Sequence, residues 1–177
     1  MKKTLLVFAA ALASTIVANA QSFDSTGATT MSVAIAPEAS ISVGTSTTSL
    51  SSSGTLFSNY SGLTNFTYKM RTTESGGTGS ITLKVTSDFN VGGPSVASPL
   101  TAGDVLTYVC SAASSGTACS GSQTSTTGSE TPVVSFGANA HSTITGDEGS
   151  ASWTLTNDPK YKTGSYSATV TFTISAA

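Results

Sequence analysis

The sequence predicts an all-β domain built as two antiparallel sheets packed face to face. Apolar and polar residues alternate with a period of two in several segments, which is typical of strands with one buried face. A helical period is almost absent after residue 20. Glycine- and proline-containing turn signals separate the alternating segments. Serine and threonine fill most polar positions, and threonine suits the exposed face of a strand.

Residues 1–20 are organised like a secretory signal peptide. Lys2 and Lys3 supply the positive charge, Leu5–Ala13 is the apolar run, and Ala18–Ala20 is a small-residue cleavage site. We therefore expect an exported chain that begins at Gln21 and resides in the periplasm, on the cell surface or outside the cell. Nothing later is continuously apolar over the roughly 20 residues of a membrane span, so no span is expected after signal removal.

Residues 21–38 are expected to be an N-terminal extension or a first strand. Within them Thr29, Met31, Val33 and Ile35 occupy alternate positions, and Pro37 ends the run. One interpretation is a donor strand that pairs with another subunit. The other is the first strand of a complete sandwich.

Residues 39–177 are expected to form the sandwich itself. A short alternating piece at Ile41 and Val43 is followed by a Ser/Thr tract over 45–54, which we interpret as a loop. Further strands are predicted around Phe66, Tyr68 and Met70; Ile81, Leu83 and Val85; Leu106, Tyr108 and Cys110; Val134 and Phe136; and Trp153 and Leu155. The turn-rich segments 76–79 and 157–164 predict hairpin connections.

The last predicted strand is the most regular. Its apolar face consists of Tyr166, Ala168, Val170, Phe172 and Ile174, and serine or threonine occupies every position between them over 165–175. About seven to nine short strands in a chain of this size favour an immunoglobulin-like sandwich. A jelly roll or a small β-barrel fits the pattern almost as well.

The two cysteines, Cys110 and Cys119, both lie in the exported part of the chain, where disulfides form and persist. We expect them to be bonded to each other and to staple the small, polar loop between them. Two thiols without a neighbouring histidine or a second pair make a poor zinc site.

Charge and the scarcity of reactive groups narrow the function classes. Without Lys2 and Lys3, five basic residues face nine acidic ones, a net charge of −4 that argues against nucleic acid and anionic membranes as partners. His141 is the only imidazole and has no acid beside it in sequence. The Asp147–Glu148 pair matches no calcium-loop spacing, and no cofactor motif is present. We expect no catalytic residue, metal or cofactor.

The two ends of the mature chain together resemble chaperone-usher pilins, including the spore coat U-like group. Such pilins have a sandwich that lacks one strand, a glycine-led final strand and an N-terminal extension that completes the next subunit. The resemblance implies a donor strand with Met31, Val33 and Ile35. It also implies an acceptor edge made of Gly164, Tyr166, Val170, Phe172 and Ile174. Self-assembly and a periplasmic chaperone that pairs by strand addition are the implied partners.

The function expected from these features is an exported structural or adhesive surface protein. It would be a pilin-like or coat-like subunit that takes part in a fimbrium or pilus, or in cell adhesion, without catalysis. The alternative is a monomeric secreted β-sandwich that binds carbohydrate or another surface ligand. Tyr60, Trp153 and Tyr161 are the candidates for stacking on a sugar.

Overall fold

The computed structural model describes residues 27–112 and 114–177. Within these residues the chain forms ten β-strands and no helix, so it contains no helix able to cross a membrane. The strands form two antiparallel sheets that are not closed into a barrel. The predicted all-β, two-sheet sandwich is therefore confirmed. The predicted signal peptide, residues 1–20, lies outside the described residues.

The larger sheet, sheet A, has six strands. They are β1 (Glu38–Val43), β2 (Ser51–Ser52), β3 (Tyr60–Arg71), β5 (Leu106–Ala112), β7 (Ser122–Thr124) and β9 (Asp147–Leu155). Their order is β1-β3-β9-β5-β7, and β2 pairs with the first residues of β3. The long strand β9 is central because it pairs with β3 on one side and β5 on the other.

The smaller sheet, sheet B, has four strands. They are β4 (Gly79–Ser87), β6 (Thr117–Ala118), β8 (Thr131–Phe136) and β10 (Thr169–Ala176). Their order is β10-β4-β8-β6, so the last strand of the chain lies at an edge. Sheet B therefore begins and ends with strands that have one neighbour each.

The core lies between the sheets and consists of the residues that alternate inward. Every apolar residue named above for the five middle strands is buried except Cys110, which is partly buried and packs against the core. Ring contacts cross the core, with centroids 5.4 Å apart for Tyr68 and Phe136. The single tryptophan, Trp153, donates its indole N–H to the buried Thr64 hydroxyl at 2.8 Å. The alternation thus identified the core correctly.

The two predicted hairpins are corrected by the structure. The 76–79 turn joins β3 in sheet A to β4 in sheet B, and the segment before the last strand joins β9 in sheet A to β10 in sheet B. Both connections cross between sheets instead of linking paired neighbours. Alternation cannot distinguish the two cases, because strands that face each other across a core show the same inside and outside pattern as paired strands.

The first and last strands are shorter than the alternating sequence segments at the two ends of the domain. No strand forms over residues 27–37, and β1 begins at Glu38. The guanidinium of Arg71 contacts the chain at this starting point, where it donates to the Ala36 carbonyl at 2.6 Å and pairs with the Glu38 carboxylate at 2.7 Å. At the other end β10 begins at Thr169, four residues later than the predicted start at Ser165.

Candidate functional site

The sandwich has one side where long edge strands from both sheets lie beside each other. β10 is the edge of sheet B, β1 is the edge of sheet A, and the two strands are in contact across the sandwich. We call this side the open seam and define it by β1 and β10. An edge strand presents unpaired backbone groups and can accept a further strand.

The inward face of β10 is only partly covered. Val170, Phe172 and Ile174 alternate with exposed threonines, and all three are half-buried. Their paired neighbours on β4, by contrast, are Val85, Leu83 and Ile81, which are at most 1% exposed. The Phe172 ring packs against Phe66, with 5.5 Å between ring centroids. The apolar face of β10 therefore extends the core to the surface without being enclosed by it.

The inward face of β1 is uncovered in the same way. Ala39 and Ile41 are half-buried, and Val43 is 41% exposed. Their neighbour strand β3 buries Phe66, Tyr68 and Met70 almost completely. Both strands of the open seam thus have incompletely buried apolar faces. The pilin resemblance implied an acceptor edge on β10 alone, and the only signal for β1 in the sequence was the short alternation at Ile41 and Val43.

The opposite side of the sandwich is closed by different means. Its edge strands are β7 and β6, with only three and two residues. Here Cys110 on β5 forms a disulfide with Cys119, which follows β6, at a Cα–Cα distance of 5.4 Å. The predicted bond is confirmed, and it links sheet A to sheet B. Short edge strands and a covalent tie leave little edge for another chain to pair with.

The predicted donor residues carry exposed apolar side chains. Met31 is 92% exposed, Val33 83% and Ile35 70%. Single exposed apolar residues are common, but three at alternate positions form the continuous apolar face of a potential strand. In the described structure this segment has no strand partner.

Two predicted acceptor residues lie outside the strand. Gly164 and Tyr166 belong to the loop before β10. The Tyr166 ring lies against Gly93, and its hydroxyl donates to the Lys162 carbonyl at 2.7 Å. Because the ring is held in this loop contact, it does not continue the inward row of Val170, Phe172 and Ile174.

His141 and Asp147 lie close enough for the charge of His141 to act on the Asp147 carboxylate. His141 is exposed, and its Nδ1 lies 2.9 Å from the Asn139 carbonyl oxygen, not from a carboxylate. Burial acts to raise the pKa of Asp147, but hydrogen bonds from Ser115 and Thr143, with the charge of His141, outweigh it and lower the pKa. An ionised Asp147 that accepts the Thr143 N–H stabilises its own loop.

The candidate sugar-stacking aromatics are not displayed together. Trp153 is 5% exposed and belongs to the core, while Tyr60 and Tyr161 are half-buried. No group of three or more potential metal-binding His, Cys, Asp or Glu side chains was found among the described residues. The described surface therefore offers no exposed aromatic platform built from these three residues.

The open seam is the feature whose geometry has a clear binding consequence. A strand laid along it could pair with the free edge of β10 and cover the half-buried faces of β10 and β1.

Comparison of the chain with protein-family models, with curated proteins and with solved structures found no match to any of them.

Proposed function

We propose that the protein is an exported structural subunit that accepts a strand along its open seam and donates Thr29–Ile35 to the seam of another copy. The observation that supports this most directly is the incomplete burial of Val170, Phe172 and Ile174, beside paired residues on β4 that are almost completely buried. The assembly would be pilin-like or coat-like and would have no catalytic role.

The donor and acceptor are chemically complementary. The acceptor offers an apolar strip with a hydrogen-bonding edge, and the donor offers apolar side chains at every second position. Side chains on one face of a strand are spaced by two residues, so Met31, Val33 and Ile35 can all enter one groove. A free edge of this kind would also suit a chaperone that adds a strand during export.

The free energies of the individual interactions indicate which of them a stable assembly requires. Complete burial of a large aliphatic side chain contributes about 1.5–3 kcal/mol, so these three exposed side chains would contribute roughly 5 kcal/mol. Association costs an estimated 4–15 kcal/mol or more, which the side chains alone do not reliably exceed. Each backbone hydrogen bond adds about 0.5–1.5 kcal/mol net, so a full ladder along β10 is required for a stable assembly.

Peptide complementation tests this proposal. A chain that lacks 21–34 retains the compact unit Ile35–Ala177 and the Arg71 contact with Ala36. A synthetic peptide spanning Gly27–Ala36 should bind this chain and raise its melting temperature by several degrees. The Val33→Asp peptide should not bind, because it would place a charge in an apolar groove.

The Ser32→Asp peptide is the matched control, since position 32 lies on the other face of the donor strand. It should bind nearly as well as the unmodified peptide. Absence of binding by the unmodified peptide, or equal binding by the Val33→Asp peptide, would overturn the proposal.

A further inference from the structure

Two loops meet at the end of sheet A where β5 begins and β9 ends. Leu106 pairs with Leu155, so Asp104 just before β5 and Asp158 just after β9 are brought to the same end. Each aspartate lies in a tight turn. The Asp104 N–H donates to the Thr101 carbonyl at 3.0 Å, and the Tyr161 N–H donates to the Asp158 carbonyl at 3.0 Å.

The turns themselves follow from the sequence. Gly103 has a φ of 100°, a left-handed conformation that glycine adopts without strain, and it is the third residue of the first turn. Pro159 occupies the second position of the other turn, where its fixed φ is favourable. The two turns therefore place Thr101, Asp104 and Asp158 reproducibly.

The Asp158 carboxylate is well supplied with donors. The Thr101 hydroxyl donates to one oxygen, and the Lys160 N–H donates to the other at 2.8 Å. These two hydrogen bonds, in that order of importance, lower the pKa of Asp158. Both oxygens of this carboxylate are therefore held in defined positions by the two turns.

Asp104 is the unusual member of the cluster. It is 6% exposed, and its Oδ2 is buried without a hydrogen-bond partner. The Asp158 carboxyl group and the Tyr161 hydroxyl are hydrogen-bonding neighbours of the Asp104 side chain, and Oδ2 is the oxygen left without a partner. Burial, followed by the charge of Asp104, raises the pKa of Tyr161.

No cation in the described structure neutralises this pair of acids by direct contact. The one ion pair among residues 27–112 and 114–177 joins Arg71 and Glu38. The Lys160 ammonium acts on Asp158 only at longer range and donates to the Thr101 hydroxyl at 3.1 Å. A buried carboxylate beside a second carboxylate is costly unless a cation or a proton compensates it.

We propose that Asp104 and Asp158 hold a calcium ion between the two loops, with the hydroxyl and carbonyl oxygens of the turns as further ligands. Calcium takes six to eight oxygen ligands in flexible arrangements and accepts carbonyl and hydroxyl oxygens beside carboxylates. Two carboxylates therefore suffice when the turns and water supply the remaining oxygens. The ion would tie the β4–β5 loop to the β9–β10 loop, which leads into β10.

Calorimetry and thermal unfolding of the EDTA-treated mature chain with CaCl2 test the site. A dissociation constant of about 0.5 mM is expected, because extracellular calcium modules bind with about 0.1–1 mM affinity. About 10 mM CaCl2 should then raise the melting temperature by about 5 °C. Asp104→Asn should abolish both the binding heat and the shift, while its calcium-free melting temperature should equal or exceed that of the unmodified chain.

Glu148→Gln is the matched control, because it removes an exposed carboxylate from the opposite end of β9 and should leave calcium binding unchanged. Absence of calcium binding by the unmodified chain would overturn the proposal, as would binding that persists in Asp104→Asn. A calcium-insensitive chain that becomes more stable as the pH falls from about 7 to about 5 would assign the compensation to a shared proton, and this also overturns the proposal.

Discussion

Replacing both Cys110 and Cys119 with serine should lower the free energy of unfolding by a calculable amount. The bond closes a loop with a sequence separation of 9. The loop-entropy relation gives a loss of about 2.6 kcal/mol at 25 °C for a loop of this length. A loss of this size lowers the melting temperature of a domain of 150–250 residues by about 5–10 °C. Both cysteines are only partly buried, so loss of packing should add little.

Urea unfolding followed by tryptophan fluorescence measures this effect, because Trp153 lies in the core that the two sheets share. The urea midpoint should fall. The m-value should stay similar or rise slightly, because the unfolded chain is released from one constraint. An unchanged midpoint would refute the argument that the disulfide holds the β6–β7 side of the sandwich closed. A loss well above about 5 kcal/mol would refute the purely entropic account.

Three further substitutions test the packing of the core, the dependence of stability on acid pH and the loop before β10. Trp153→Phe removes the indole donor from Thr64 and should reduce the free energy of urea unfolding by about 1–3 kcal/mol. Burial acts to raise the pKa of Asp88, but four hydrogen bonds outweigh it and lower the pKa. The ionised Asp88 side chain therefore contributes fully to the free energy of unfolding above about pH 4, and this contribution is lost as the pH falls through the lowered pKa. Asp88→Asn should therefore be less stable at pH 7 and should show a flatter acid limb in urea midpoints measured against pH. Gly93→Ala places a Cβ 2.4 Å from the Tyr166 ring and should cost about 1–3 kcal/mol, measured as a lower thermal midpoint.

The sequence predicted the interior of this fold better than its connections. Strands such as β4 and β9 show strict alternation, and their inward residues are those that the structure buries. Alternation reports which side of a strand is apolar, but it does not report which strand is the neighbour. For this reason the turn signal at 76–79 predicts a hairpin, although the connection crosses from sheet A to sheet B.

The candidate sites were predictable to different degrees. The apolar face formed by Val170, Phe172 and Ile174 followed from the alternation, whereas the place of this face at a sheet edge beside β1 needed the sheet order. Tyr166 fitted the alternation, but it packs against Gly93 in a loop contact that no local pattern encodes. Asp104 and Asp158 are separated by 54 positions, and only the pairing of β5 with β9 brings them together.

The most direct test of strand-donating assembly is size-exclusion chromatography with negative-stain microscopy of the mature protein exported by its native host. Fibres or ladders of oligomers that survive mild detergent are the predicted result. Val33→Asp should reduce them to monomers, whereas Ser32→Asp should leave them intact. A compact, stable monomer from the unmodified protein would contradict the account and would favour a monomeric binding module.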